Sequence, residues 1–133
     1  MKNKFKSVLL IDDKVADNRY NQIILQRMNI IDKIEIAESG IDALKMIVAA
    51  DYSQPKLILL DINMPKMNGW EFLEVYEKLD ATIKNNNVVI IFTTSMNPED
   101  KQKASKISCV SELHIKPLTP EMFKNIIEKY SSN

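Results

Sequence analysis

Cysteine and histidine are nearly absent from this sequence, which contains one of each, Cys109 and His114. A single cysteine cannot form a disulfide within the chain, and this usage is typical of a reducing compartment. Neither residue lies in sequence beside Asp12, Asp13 or Asp61, so a zinc or haem site with these carboxylates is not expected. We interpret Cys109 as a small buried hydrophobic residue and His114 as part of a strand surface without a catalytic role.

An excess of charge of either sign is also missing. Lys plus Arg and Asp plus Glu number 18 each, so the formal net charge at pH 7 is zero. Sequence-independent binding to nucleic acid needs a basic excess, so direct nucleic-acid binding is not expected. The basic amino terminus is followed only by the apolar run Val8 to Ile11, which is too short for a signal peptide or a membrane span. We therefore expect a soluble, cytoplasmic protein that does not bind membranes.

The sequence does contain a regular alternation of short apolar runs and amphipathic segments over its 133 residues. This length suits one domain with a substantial core, spanning residues 1–133 with no linker to an output domain. Five runs are predicted as strands: Ser7–Ile11, Lys33–Ala37, Leu57–Asp61, Val88–Phe92 and Glu112–Ile115. Strands that alternate with helices predict an α/β fold with a doubly wound parallel sheet and helices on both faces.

Five helices are predicted between and after these strands from apolar residues at helical spacing. The expected core residues of the first two helices are Tyr20, Ile23, Ile24, Met28, Ile41, Leu44, Ile47 and Val48. The fourth helix begins at Asn97-Pro98 and has only Ala104 and Ile107 as apolar residues. With so few anchors, the fourth helix should be easy to displace.

Polar residues follow the carboxyl ends of four predicted strands. They are Asp12 and Asp13 after the first, Asp61 at the third, Thr93 after the fourth and Lys116 after the fifth. Taken singly, each has an ordinary structural explanation as a turn, a strand end or an exposed lysine. In open parallel sheets, however, these strand ends share the edge where ligands bind, so their common placement favours a functional site.

Three carboxylates at one edge repel one another unless a cation neutralises them. Oxygen ligands without nearby histidine or cysteine favour Mg²⁺, which typically binds one or two carboxylates and a phosphate oxygen. Lys116 adds a cation and Thr93 a hydroxyl donor, so the set suits phosphoryl transfer. Asp61 is the predicted nucleophile because it ends the central strand, and carboxylates can form aspartyl phosphates.

Around these residues the chain closely resembles the receiver domain of bacterial two-component response regulators. The matching segments are 8–13 (VLLIDD), 60–69 (LDINMPKMNG), 92–95 (FTTS) and 116–117 (KP). They occur in the same order and spacing over essentially the whole chain, and the segment 60–69 is the most specific of them. The resemblance implies a flavodoxin-like sheet with strand order 2-1-3-4-5, and a signalling switch in which Asp61 accepts a phosphoryl group.

The resemblance also implies partners and roles for individual residues. The phosphoryl donor would be a phosphohistidine on a sensor histidine kinase or a histidine phosphotransfer protein. The implied Mg²⁺ ligands are Asp13, Asp61 and the backbone carbonyl of Asn63, with Asp12 acting through water. Thr93 would hydrogen-bond the phosphoryl oxygen and Lys116 would pair with it, while the Lys116–Pro117 peptide bond would be cis. Leu113 occupies the position where the family usually has an aromatic switch residue, a departure that concerns the switch and not phosphorylation.

A receiver without an output domain would signal through an unknown downstream protein, as a monomer or a phosphorylation-dependent dimer. The expected contact face is the fourth predicted helix, the fifth strand and the last helix. Such a protein is not an enzyme beyond slow loss of its own phosphoryl group. The alternatives are a phosphorylation-independent adaptor and a Mg²⁺-dependent phosphohydrolase, and the latter is disfavoured because Asn63 replaces its general acid. A flavin site is disfavoured by Asp12-Asp13-Lys14, where a phosphate-binding loop would be needed.

Overall fold

Five parallel strands form a single sheet in the order β2-β1-β3-β4-β5, which confirms the predicted fold class and strand order. The computed structural model describes residues 4–51, 54–84, 86–94 and 97–131. The strands are β1 (Ser7–Ile11), β2 (Lys33–Ala37), β3 (Lys56–Asp61), β4 (Val88–Thr93) and β5 (Val110–Ile115). The helices are α1 (Val15–Met28), α2 (Gly40–Ala49), α3 (Gly69–Glu77), α4 (Ala81–Lys84), α5 (Pro98–Ser105) and α6 (Pro120–Ser131).

Both faces of the sheet are covered, because successive strand residues contribute to two different apolar clusters. On one face Ile58 and Leu60 of β3 pack with residues of α2, α3 and α5. On the other face Leu57 and Leu59 pack with residues of α1 and α6. Every residue of β1 and β3 is buried, as expected for central strands of a parallel sheet.

The strand register brings the carboxyl ends of the strands to one edge. Ile11 pairs with Leu60, Asp61 with Phe92, and Thr93 with Ile115. Asp12 and Lys116 each follow the last residue of their strand directly. The side chains predicted to form a site therefore start from neighbouring points on the sheet.

The short helix α4 was not predicted. It has four residues and none of them is buried, so the sequence contains no apolar stripe that would reveal it. Its start is fixed locally, because the Asp80 carboxylate accepts hydrogen bonds from the amide and the hydroxyl of Thr82, both at 3.0 Å. The fourth and fifth predicted helices therefore correspond to α5 and α6.

The predicted core faces of α1 and α2 were wrong at three positions. Tyr20, Ile41 and Val48 are 43%, 48% and 45% exposed, respectively. In α1 the fully buried apolar residue is Leu25, which was not predicted, and in α2 Ala43 and Ile47 are buried. The apolar stripes in the sequence are wider than the strip of each helix that contacts the sheet. Tyr20 is nevertheless anchored, because its hydroxyl donates to the Leu118 carbonyl at 3.2 Å.

β5 is a half-exposed strand at one edge of the sheet, as β2 is at the other. The His114 ring stacks on Phe92 with 5.5 Å between ring centroids, and its Nε2 lies 2.7 Å from Glu112 Oε1. These contacts fit the interpretation of His114 as part of a strand surface. Cys109, just before β5, is half-buried against the core, and burial together with the Glu77 carboxylate raises its pKa to about 12.

Candidate functional site

Three carboxylates meet at the carboxyl edge of the sheet. Asp12, Asp13 and Asp61 each offer one oxygen, and these oxygens lie within 4.8 Å of one another. Asp12 and Asp61 are buried, and Asp13 is partly exposed at the surface. Such a cluster of carboxylate oxygens has the chemistry of a site for a hard divalent cation.

Asp61 is the most confined of the three carboxylates. Neither of its oxygens accepts a hydrogen bond within the described part of the chain, and the same is true of Asp13 Oδ1. Lys116 Nζ lies 3.3 Å from Asp61 Oδ1, but the two groups are not aligned for a hydrogen bond. Buried oxygens are normally paired, so these atoms point to a ligand that would supply their missing partner.

Burial is the main reason that the pKa of Asp61 rises from 3.8 to about 6. The negative charge of Asp12 raises this pKa further, and Lys116 lowers it only in part. A bound divalent cation would favour the ionised carboxylate instead. The residues present therefore fit a magnesium ion, with Asp12, Asp13 and Asp61 as candidate ligands.

Lys116 connects the cluster to helix α1. Its Nζ donates hydrogen bonds to Asp12 Oδ2 at 2.7 Å and to Asp17 Oδ2 at 2.9 Å. Burial alone would lower the pKa of Lys116, but these two hydrogen bonds and the charge of Asp61 raise it above its usual value. Lys116 is therefore a permanent cation beside Asp61, suited to pairing with a phosphoryl group.

Sequence reasoning missed Asp17 and Asn18, both in the first two turns of α1. Asn18 is 2% exposed, and its side-chain nitrogen donates to the Asp12 carbonyl at 2.8 Å. Asp12 Oδ1 in turn accepts the Lys14 amide at 3.0 Å. The available signal was proximity, because the helix that begins directly after Asp12 and Asp13 must start at the same sheet edge.

The loop after Asp61 turns back closely on the end of β3. The Gly69 amide donates to the Ile62 carbonyl at 2.8 Å, and a Cβ at Gly69 would lie 2.8 Å from the Asp61 carbonyl oxygen. A side chain at position 69 would therefore displace the backbone at Asp61. Within this loop Asn63 is exposed and Met64 is buried, so the loop is anchored while the side chain of Asn63 faces solvent.

The remaining predicted residues lie on β4 and β5. Thr93 is 2% exposed, and its carbonyl accepts the Lys116 amide at 2.8 Å. The Lys116–Pro117 peptide bond is cis. Leu113 pairs with Ile91 and packs against the apolar cluster on the α5 side of the sheet. The aliphatic side chain at position 113 is thus partly buried against the core on this face.

The sequence profile of the response regulator receiver domain matches residues 8–128 of this chain. The chain belongs to the response regulator receiver family. It is 35% identical over 107 residues to Response regulator Rcp1 of Synechocystis sp., which covers 74% of this chain and 68% of that protein. It is 29% identical over 121 residues to the Chemotaxis protein CheY homolog of Campylobacter jejuni, covering 91% and 88% of the two chains.

Solved receiver structures have the same fold. A two component response regulator from Cytophaga hutchinsonii aligns with a TM-score of 0.84 and 34% identity, over 96% of this chain and 97% of that one. Receiver domains are signalling switches of two-component systems and not classical enzymes, and they interact with histidine kinases or phosphotransfer proteins and with downstream targets. Among the helices of the described residues, none is long and apolar enough to cross a membrane.

Proposed function

We propose that this receiver is a phosphorylation-controlled switch in which Asp61 accepts a phosphoryl group from a phosphohistidine of a kinase or a phosphotransfer protein. The observation that carries the proposal is the Asp61 carboxylate itself. It is buried at the end of the central strand, neither oxygen accepts a hydrogen bond in the described residues, and a cation lies 3.3 Å away. A carboxylate in this state is available as a nucleophile.

The transfer replaces one bond by another. An Asp61 oxygen attacks the phosphorus, an O–P bond forms, and the N–P bond of the phosphohistidine breaks. The electron pair of that bond stays on the imidazole nitrogen, which takes up a proton from solvent. Lys116 would pair with the incoming negative charge, and the Thr93 hydroxyl would donate to a phosphoryl oxygen.

Asp12, Asp13 and Asp61, together with the Asn63 backbone carbonyl, are the groups that would hold Mg²⁺. The ion would neutralise charge on the phosphoryl oxygens during transfer. Its proposed site is supported by the clustered carboxylate oxygens and by the absence of a hydrogen-bond donor to Asp13 Oδ1 within the described chain.

The proposed output face consists of α5, β5 and α6, and the output is a contact with another protein. Within α5 only Ala104 is buried, which supports a helix that moves at small cost. Whether the protein acts as a monomer or as a phosphorylation-dependent dimer, and its cytoplasmic location, stay predictions. The same holds for the expectation that it binds no nucleic acid.

Two other functions are less well supported. A Mg²⁺-dependent phosphohydrolase would need a general acid where Asn63 stands, so we expect at most slow self-dephosphorylation. An adaptor that works without phosphorylation would not need the set of Asp12, Asp13, Asp61 and Lys116 that this chain retains.

Intact-mass measurement after incubation with Mg²⁺ and acetyl phosphate tests the proposed function. We expect the wild type to gain the mass of one phosphoryl group. Asp61→Asn should gain none, because the amide is not a nucleophile of this kind, and wild type in EDTA should gain none. Asp32→Asn, an exposed carboxylate before β2 at the opposite edge of the sheet, is the matched control and should behave like the wild type.

An equal gain in Asp61→Asn would mean that another residue is modified. If the wild type gains no mass, the phosphate mimic beryllofluoride separates two explanations. Binding of beryllofluoride with Mg²⁺ would indicate hydrolysis faster than detection. A failure to bind would favour the adaptor and contradict the proposed switch.

A further inference from the structure

Asp17 lies outside the set of strand-end residues, yet its carboxylate contacts the ammonium group of Lys116. Lys116 Nζ lies 2.7 Å from Asp12 Oδ2, 2.9 Å from Asp17 Oδ2 and 3.3 Å from Asp61 Oδ1. Only the first two contacts are hydrogen bonds. Asp17 therefore takes one of the three donors of the Lys116 ammonium while Asp61 takes none.

The three carboxylates around Lys116 differ in their access to water. The side chains of Asp12 and Asp61 are 5% and 2% exposed, whereas that of Asp17 is 36% exposed. An exposed carboxylate can exchange a lysine for water at small cost, but a buried one cannot. Asp17 is thus the partner that can release Lys116 when a stronger anion arrives.

A phosphoryl group on Asp61 would be that stronger anion. It brings between about one and a half and two negative charges and several strong acceptor oxygens. Its nearest cationic side chain would be Lys116, which must then give up or weaken a present contact. Asp17 opposes this change in two ways, because it competes for the ammonium and because its own charge repels the phosphoryl oxygens.

We propose that Asp17 is a positioning residue that holds Lys116 on the α1 side of the site and thereby limits the stability of the phosphorylated state. This inference rests on the proposed function, because it assumes that Asp61 receives a phosphoryl group. In this chain the equilibrium between the unphosphorylated and the phosphorylated state is then set partly by a residue of helix α1. A neutral residue at position 17 shifts that equilibrium toward phosphorylation.

Beryllofluoride titration in saturating Mg²⁺, followed by amide NMR shifts at Thr93, tests the inference. Asp17→Asn should bind beryllofluoride roughly three- to tenfold more tightly than the wild type, as expected for removal of one partly exposed ion pair and its repulsion. Its Mg²⁺ affinity should be unchanged or weaker, because a nearby anion has been removed. General damage to the structure would weaken both affinities, so tighter beryllofluoride binding without tighter Mg²⁺ binding identifies a positioning role.

Three variants serve as controls. Asp17→Ser, which tests the same loss of charge with a different side chain, should also bind more tightly. Asp17→Glu keeps the carboxylate and should stay within about twofold of the wild type, since a longer side chain on α1 still reaches Lys116. Asp32→Asn removes one charge at the opposite sheet edge and should match the wild type.

The possible outcomes separate this inference from the proposed function. If the wild type binds no beryllofluoride, the proposed function fails. If the wild type binds it and both neutral variants bind equally or more weakly, the phosphoacceptor role stands and the role of Asp17 is refuted. A gain in Asp17→Glu or Asp32→Asn as large as that in Asp17→Asn would also refute it.

Discussion

Asp61 is a residue whose chemistry and stability requirements conflict. Burial and the charge of Asp12 raise its pKa from 3.8 to about 6, and Lys116 offsets only part of this rise. Its ionised form at neutral pH therefore costs folding free energy. A carboxyl with a higher pKa in the folded state contributes stability that is present below about pH 4 and is lost as the pH rises through about 6.

We predict that Asp61→Asn raises the free energy of unfolding by about 1–3 kcal/mol near pH 7.5 in EDTA, because the amide has no charge to desolvate. The gain should shrink below about pH 5, where the wild-type carboxyl is protonated as well. Urea unfolding at the two pH values measures both effects, with Asp32→Asn as the control. A gain of the same size at both pH values would show that it does not come from ionisation.

The sequence alone led to Asp61 but not to Asp17. The strand-end position of Asp61 follows from a run of apolar residues that stops at a carboxylate, which is a local pattern. Asp17 meets Lys116 across 99 positions of sequence. An acidic residue in the first turn of a helix is also common for its effect on the helix dipole, so its type gave no separate signal.

Among the helices of eight or more residues, α5 buries the least apolar surface against the core. Ala104 is its single buried residue, whereas α3 buries Phe72, Leu73 and Tyr76. The Lys103 ammonium lies 4.8 Å from the centre of the Trp70 ring on α3, which adds a cation–π contact of modest strength. Both α5 and α3 have a side-chain cap at their amino terminus: the Asn97 side chain accepts the Asp100 amide, and the Asn68 side chain accepts the Glu71 amide.

These contacts predict that α5 opens without the rest of the fold. In the wild type, α5 amides should exchange hydrogen at least about tenfold faster than α3 amides, because opening α5 exposes little apolar surface. Asn97→Ala should accelerate exchange in α5 about fivefold, the effect of losing one cap. Asn68→Ala, the matched loss of a cap on α3, should leave exchange in α5 unchanged.

Hydrogen exchange followed by NMR measures all three rates in one type of experiment. If Asn68→Ala accelerates exchange in α5 as much as Asn97→Ala does, α5 opens only when the whole domain unfolds. That result would remove the physical reason for placing the mobile output element at α5.

For the molecule as a whole, the alternation of strands and helices was enough to predict a parallel sheet. The strands β1, β3 and β4 are short apolar runs, and β2 alternates polar and apolar residues. The order of the strands in the sheet was implied by the family resemblance. The helix faces were harder, as Ile41 and Val48 show: both continue the apolar pattern of α2 but are exposed. Periodicity identifies an amphipathic helix, but the width of the buried strip depends on neighbouring helices. The helix α4 has no buried residue, so the pattern that reveals the other helices is missing there.

The balanced charge of the whole chain conceals an unbalanced site. The formal net charge is zero, yet Asp12, Asp17 and Asp61 surround the single ammonium of Lys116, and Asp13 lies beside them. These carboxylates repel one another in the folded state, and the repulsion is relieved when the chain unfolds. A divalent cation bound only by the folded chain should therefore stabilise the whole domain.

We predict that MgCl2 raises the thermal midpoint of the wild type progressively with concentration. Above the dissociation constant, each tenfold increase in free Mg²⁺ should add about 1.4 kcal/mol to the free energy of unfolding. NaCl at matched ionic strength should give a smaller effect that reaches a plateau, because screening does not replace coordination. Asp13→Asn should lose the Mg²⁺-specific part, since it removes a ligand whose Oδ1 has no hydrogen-bond donor in the described chain, while Asp32→Asn should keep it. Equal shifts of the thermal midpoint with the two salts would mean that the carboxylates hold no specific ion. An Asp13→Asn variant that responds to Mg²⁺ like the wild type would mean the same. In either case the phosphoryl transfer proposed for Asp61 would lack the cation on which it depends.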